Sequence, residues 1–294
     1  MLKKLINKNR RAIFLTILAA ILWGTSFPAI RIGLRYIDAI LFVFMRFLVA
    51  LIVTLTILIL TRKIQFEFKK DKKLLGFIGI SNGIAYLLQY IGMNYTSAAK
   101  ASLFVNLTSI WVALLSTKLI DEHFGRKKAI GVFSGIFGLF LVTTNLNLSV
   151  LNTEHLVGDL LVISAGIVWA FFIIYNKKLM MNKNDSSKVA TWILAITLLP
   201  MLPFVLFSIN NLFLIPLEGW LSIIYTAIFC WVIPYHLWLE GLKHISASNS
   251  TILLLTEILV ATIIGVLLLN EAITLVMGIG AFLIVIALIL ASRP

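Results

Sequence analysis

Ten apolar runs, each about long enough to cross a bilayer, alternate along the chain with short connections that hold most of its charge. They fall at roughly 12–30, 39–61, 74–93, 99–119, 128–145, 157–177, 189–208, 218–239, 247–269 and 272–291. A hydrocarbon core about 30 Å thick is spanned by about 20 helical residues, so each run predicts a membrane-spanning helix. The first run follows Lys3, Lys4, Lys8, Arg10 and Arg11 and in that respect imitates a secretory signal. It is long, no small-x-small cleavage site follows it, and nine further apolar runs come after, so it is read as a retained first helix.

The pattern is used twice. Gly92-Met-Asn-Tyr-Thr-Ser-Ala-Ala returns as Gly241-Leu-Lys-His-Ile-Ser-Ala-Ser at an offset of 149 residues. At the same offset Ile120-Asp-Glu122 answers to Leu269-Asn-Glu271, and Gly131 to Gly280. The chain therefore reads as two five-helix units, 1–150 and 151–294, inside one integral domain. Five crossings is an odd number, which sets the two units in opposite orientations. The predicted fold is an all-α polytopic membrane protein of ten transmembrane helices in two inverted five-helix repeats.

Composition agrees, with 61% hydrophobic and 13% charged residues and a mean hydropathy of +1.04. The net charge of +13 does not signal nucleic acid, because the basic residues cluster between apolar runs. With the N-terminus inside, twenty of the 25 Lys and Arg fall on the inner side and only Arg31, Arg35 and Lys100 on the outer; Arg46 and Lys118 lie within helices. The asymmetry predicts a multi-pass protein of the cell membrane with both termini cytoplasmic, and the lipid bilayer as its first partner. The basic connection at 61–73 fits orientation and contact with anionic head groups. The single cysteine, Cys230, allows no disulfide within the chain, and no cofactor is called for.

Polar side chains facing lipid are costly, so polar stripes on these helices should face protein or a wet cavity. Helix 4 carries Ser102, Asn106, Ser109, Ala113 and Ser116 on one face; helix 9, its repeat partner, carries Ser250, Glu257, Ala261 and Gly265. Helix 3 offers Asn82, Tyr86, Gln89 and Tyr90, and helix 8 offers Trp231, Tyr235 and Trp238. Trp23, Ser26 and Trp169 add to the candidate lining from helices 1 and 6. The faces are used together if helices 1, 3, 4, 6, 8 and 9 surround a central cavity. Close packing is the simpler reading for Gly131, Gly135 and Gly138, and interfacial anchoring for Tyr95, Trp111, Trp192 and Trp220. His236 points away from the Trp231 line, and Glu122 and Glu271 stand where a capping role is expected.

Two charges fit neither packing nor capping. Arg46 and Glu257 lie furthest from helix ends, where a charge costs about 2.5–3.5 kcal/mol on insertion scales. Arg46 is long enough to snorkel outward, whereas Glu257 is not. Glu257 is accordingly a candidate solute contact or proton site, with protons as a candidate coupling partner; a hydrogen-bonded structural acid is the alternative reading.

The chain resembles the drug/metabolite transporter superfamily, in its EamA-like branch of ten-helix carriers. The resemblance rests on Trp23-Gly24-Thr25-Ser26-Phe27, Arg46-Phe47 and Thr96-Ser97-Ala98-Ala99 leading through Ala113-Leu114-Leu115 to Glu122. In the second half it rests on Ser246-Ala247-Ser248, Leu255-Thr256-Glu257, Leu269-Asn270-Glu271 and Gly280. It implies a carrier of small polar solutes, often an exporter of amino acids or related compounds, and the same cavity-lining helices. Where the family often has proline early in helices 4 and 9, this chain has Ser109 and Ile258, which predicts straighter helices there. A channel is the alternative function. A membrane-embedded enzyme is disfavoured by the lack of a Walker A loop, an HExxH or a paired-aspartate motif, and by Asp38, Asp71, Asp121, Asp159 and Asp185 all falling in loops or at helix ends.

The charge asymmetry makes a direct prediction about orientation. In intact cells, Asn7→Cys, Gln65→Cys and Asn184→Cys should resist an impermeant thiol reagent, while Leu151→Cys should be labelled. Labelling at position 184 but not at 151 would overturn the inverted arrangement.

Overall fold

The computed structural model describes residues 2–61, 71–96, 98–151, 156–182, 184–206, 212, 215–269 and 274–292. Ser97, Asn270, Glu271 and most of the basic connection after the second run lie outside these residues. The described residues form helices and no strand, and ten helices are long and apolar enough to cross a membrane. They are α1 (Leu2–Gly24, resuming as Ser26–Gly33), α2 (Ala39–Leu60), α3 (Lys72–Met93), α4 (Ala98–Asn106, resuming as Thr108–Leu119) and α5 (Arg126–Thr144). The second half contributes α6 (Leu156–Met181), α7 (Ser186–Thr197, prolonged by short turns to Val205), α8 (Leu217–Leu242), α9 (Ala247–Leu254, resuming as Thr256–Leu269) and α10 (Leu275–Ser292).

Local chemistry sets several helix starts. Asp38 accepts hydrogen bonds from the Ile40 and Leu41 amides at 3.0 and 3.2 Å, and Asp185 from those of Ser187 and Lys188 at 2.9 and 3.1 Å. Each carboxylate satisfies amides that the first helical turn leaves unpaired. Large apolar side chains such as Phe133 and Phe282, 77% and 64% exposed, project from the outer surface of the bundle. Such a surface suits lipid as its solvent.

Packing between the halves follows a regular exchange. α3 lies along α6 as α8 lies along α1; α3 meets α7 as α8 meets α2; α4 meets α6 as α9 meets α1. The remaining main contacts, α2 with α7, α4 with α9 and α5 with α10, join repeat partners directly. The duplicated glycines sit at these crossings. A Cβ on Gly92 would lie 3.0 Å from the Gly158 carbonyl of α6, and one on Gly241 would lie 2.9 Å from the Ala12 carbonyl of α1. Between α5 and α10 the relation is reciprocal. Gly131 faces Ala287 and Leu290, while Gly280 faces Gly138 and Leu141, the same residues displaced by 149. A surface patch that meets its own counterpart in this way is the mark of a two-fold contact. Close helix approach explains Gly131, Gly135 and Gly138, as the sequence suggested.

α4 and α9 are not straight, contrary to the expectation from their missing prolines. Each tightens to three-residue spacing, with Ile110 N bonded to Leu107 O at 2.9 Å and Ile258 N to Leu255 O at 3.1 Å. A threonine stands directly after each break. Thr108 Oγ1 donates to Val105 O at 2.6 Å and Thr256 Oγ1 to Leu253 O at 2.8 Å. These back-bonds compete for carbonyls of the helical ladder, which is interrupted at both places without proline. Trp111 also departs from expectation. It packs against the main core with its indole N–H buried and unbonded, and does not anchor at an interface.

Glu122 caps a helix, but in the other half of the chain. Its carboxylate accepts the Ala247 amide at 2.8 Å and the Ser248 amide at 3.2 Å at the start of α9, and pairs with Lys128 at 3.0 Å. Beside it Ser116 and Ser248 join α4 to α9 through hydroxyls 3.2 Å apart. Burial raises the Glu122 carboxyl, yet hydrogen bonds from Ser248 and Lys128 and the Lys128 charge outweigh it and hold the group below its usual range. A depressed carboxylate stabilises the fold above its unfolded pKa, and that contribution fades as pH falls through the folded value. Glu122→Ala should therefore lower thermal stability in detergent at neutral pH, by about 1–3 kcal/mol for two stranded amides. The gap to the native chain should close on acidification; a gap that persists unchanged in acid would refute the cap.

Candidate functional site

The site begins with a proline. Pro234 has no N–H to return to the carbonyl four residues earlier, which is that of Cys230. At that point α8 widens into a π turn over Ile228–Val232. The Cys230 carbonyl accepts Arg46 Nη2 from α2 at 3.0 Å. Arg46 is 3% exposed and therefore does not snorkel. Its guanidinium carbon lies 5.7 Å from the centre of the Phe47 ring, and its Nε is buried without an acceptor. A guanidinium carries five N–H groups; besides the Cys230 carbonyl the Tyr90 hydroxyl lies within its hydrogen-bonding reach, and Nε is a buried donor left unspent.

Aromatic rings extend from this point through the bundle. Phe47 meets Tyr86 edge-on at 4.8 Å and Trp231 at 5.7 Å; Tyr86 meets Trp169 at 5.0 Å; Trp231 meets Tyr235 at 4.3 Å. Tyr235 leads to Trp238 at 5.6 Å, and Trp238 to Trp23 at 6.2 Å. The polar ends are held individually. Tyr235 Oη donates to Asn176 Oδ1 at 3.0 Å, Trp238 Nε1 to Ser250 Oγ at 2.8 Å, and Trp169 Nε1 to Asn82 Oδ1 at 3.4 Å. The Arg46 charge acts on the hydroxyls of Tyr86 and Tyr90, and Tyr86 also feels Glu257.

Glu257 is the second residue of the second segment of α9, next to Thr256 after the break. A Cβ on Gly24 would fall 2.8 Å from the Glu257 carbonyl, so the glycine lets α1 close on α9 at this level. The Glu257 side chain makes no hydrogen bond or ion pair among the described residues and is half-buried. Arg46 and Glu257 do not pair with each other; the ion pairs among the described residues are Lys128–Glu122 and Lys243–Glu240. At the break in α1, Thr25 Oγ1 donates to Leu22 O at 2.7 Å, accepts from Tyr225 Oη at 2.9 Å and lies 3.7 Å from Cys230 Sγ.

The contacts thus connect Trp23, Arg46, Tyr86, Tyr90, Trp169, Trp231 and Tyr235, with Glu257 in electrostatic reach. Ser26 and Ser109 are buried, and Gln89 is half-buried, without a described contact that joins them to this network. Asn106 turns its amide back onto Ser102 O at 2.8 Å. His236 faces Ser187 on α7, its Nδ1 3.4 Å from the hydroxyl, and stands apart from the network. Asn176, Thr25 and the free Cys230 carbonyl belong to the site's support and were missed from the sequence; Pro234, four residues past Cys230, was the available signal.

A family model described as the EamA-like transporter family matches residues 10–144 and again residues 156–293. An uncharacterized transporter of Archaeoglobus fulgidus is 26% identical over 266 residues, 90% of this chain and 91% of its own. A probable amino-acid metabolite efflux pump of Escherichia coli is 25% identical over 294 residues, 95% of this chain and 94% of its own. One of the same description from Salmonella typhimurium is 28% identical over 244 residues, 78% and 77% of the two chains. A solved structure shares the fold with a TM-score of 0.79 at 18% identity, covering 95% of this chain and 96% of the other. Taken with its ten apolar helices, these matches show that the chain belongs to the EamA-like transporter family and is a multi-pass membrane transporter.

Proposed function

We propose that the protein is a secondary transporter that exports a small zwitterionic metabolite, an amino acid or a related compound, across the cytoplasmic membrane by alternating access. The observation that carries this reading is the pair Arg46 and Glu257, two opposite charges at mid-membrane that leave each other unpaired beside a wall of aromatic rings. Buried charges are ordinarily paired or neutralised, because an isolated one is expensive. A carboxylate at Arg46 and an ammonium at Glu257 would complete both. The ammonium would also gain from the faces of Tyr86 and the neighbouring indoles. Ser26, Gln89, Asn106 and Ser109 complete the candidate lining.

Export of amino-acid metabolites is supported by the descriptions of two relatives. Alternating access is supported by the exchange symmetry of the packing, which gives residues 1–150 and 151–294 equivalent contacts. Two inverted repeats built this way can trade conformations and open to opposite sides. Cytoplasmic termini are supported by the clustering of basic residues in the connections assigned to the inner side. Glu257 is in addition the candidate carrier of a coupling proton, since no other acid of the described spans stands beside the network.

The test is flux in proteoliposomes with the Glu257→Gln variant, against an amino-acid panel and with or without a pH gradient. If Glu257 holds the ammonium, solute exchange and gradient-driven accumulation fail together and binding weakens. Exchange kept while accumulation is lost would assign it to the proton instead. Accumulation at the native level in a correctly inserted variant would refute both roles.

A further inference from the structure

A second feature lies away from the aromatic network, where the N-terminal part of α1 passes the end of α8. Lys8, Arg11, Ala12 and Leu15 recur at three- and four-residue steps on one face of α1, and Glu240 and His244 stand one turn apart across from them. Together they line a cavity of about 130 Å³. Its floor is fixed by Gly241, whose missing side chain lets α8 approach the Ala12 carbonyl and the Thr16 hydroxyl.

The charge in the groove is lopsided. Glu240 is already engaged, accepting Ser186 Oγ at 2.6 Å and Lys243 Nζ at 2.7 Å. Lys8 and Arg11 have no hydrogen-bond or ion-pair partner among the described residues. Lys177 adds its ammonium nearby, bonded to Leu242 O at 2.8 Å at the end of α8. Partial burial and then the charges of Lys8, Lys177 and Lys243 push the His244 imidazole below its ordinary pKa, against the pull of Glu240. With Glu240 already engaged, the charges lining the groove that have no partner among the described residues are those of Lys8 and Arg11, both positive.

The apolar side decides which anion. From Arg11 the exposed stripe of α1 continues through Phe14, 63% exposed, and Ile21, 37% exposed, into the membrane-spanning part of the helix. A soluble phosphate makes no use of such a stripe, whereas a lipid presents its phosphate at the head-group level and its chains below it. We propose that this groove seats the phosphate of an anionic membrane lipid, with Lys8 and Arg11 as the charged contacts and the acyl chains along Phe14 and Ile21. Basic pockets between helices on the inner side of a membrane suit such head groups.

Native mass spectrometry of the full-length protein in detergent tests this, with phosphatidylglycerol, phosphatidylcholine or inorganic phosphate added. The double variant Lys8→Gln/Arg11→Gln should bind phosphatidylglycerol about 25-fold more weakly, from roughly fivefold for each basic residue near an anionic surface. Phosphatidylcholine should bind weakly to both forms, and inorganic phosphate should not displace the anionic lipid. A matched control, Arg126→Gln/Lys127→Gln, removes two exposed charges on α5 and should leave tight binding in place. Equal losses in the two double variants would mean diffuse attraction without a site and would overturn the proposal. So would displacement by inorganic phosphate, which would mark a site for a free anion. Each single variant, Lys8→Gln and Arg11→Gln, should show an intermediate loss; native affinity in both would equally overturn it.

Discussion

Inside a bilayer no water reaches a backbone carbonyl that has lost its helical partner, and none solvates a guanidinium at mid-membrane. Pro234 creates the first problem at Cys230, and Arg46 on α2 embodies the second. Alone, each costs a few kcal/mol. Joined by one hydrogen bond of 3.0 Å they offset each other, which ties α2 to the π turn of α8. The compensation is incomplete, because the Cys230 carbonyl and the nearby Tyr90 hydroxyl are neutral acceptors and Nε is left unbonded. The aromatic rings around Arg46 provide a polarizable wall but no negative charge. The site is thus held in place by a bond that leaves its charge available.

The two halves share packing but not chemistry. Gly24 admits the α9 backbone at the level of Glu257, and Gly166 on α6 admits the α4 backbone, its Cβ position lying 3.2 Å from Thr108 Oγ1. At the repeat offset of 149, Glu257 stands where the first half has Thr108. One half spends that position on a back-bonded hydroxyl that also donates to Gly166 O at 2.9 Å; the other places an unpaired carboxylate there. Equivalent crossings permit interchangeable conformations, while the unlike residues at one level make a site with two differently charged ends. The Glu122 cap adds a cross-half lock at the ends of α4 and α9 on the side bearing most of the basic residues, outside the spans.

Much of the fold was legible because hydrophobic length and basic placement are one-dimensional signals. The ten spans follow from runs of about bilayer length, and the duplicated Gly92/Gly241 and Gly131/Gly280 mark real crossings. The site was legible only in part. Arg46, Glu257 and most of the aromatic residues stood out as charges or rings in apolar surroundings, but what holds them did not. A carbonyl freed by Pro234 leaves no side-chain signature, and its partner lies 184 residues away. The absence of proline does not predict the breaks in α4 and α9, where Thr108 and Thr256 bond back to carbonyls of the preceding turn. Asn106 stands out as a cavity candidate by spacing; its Nδ2 bonds one turn back along its own helix, a tie that spacing does not reveal.

The account stands on a solute with both charges, one for Arg46 and one for Glu257. Isothermal titration of the purified transporter measures this directly, using the amino acid that most raises its thermal stability, the amide of that amino acid, and the same skeleton without its amino group. The account predicts measurable binding of the zwitterion and a loss of at least tenfold for each analogue, since either change leaves one buried charge without a partner. Equal affinity for the zwitterion and either analogue, or no stabilisation by any amino acid, would contradict it.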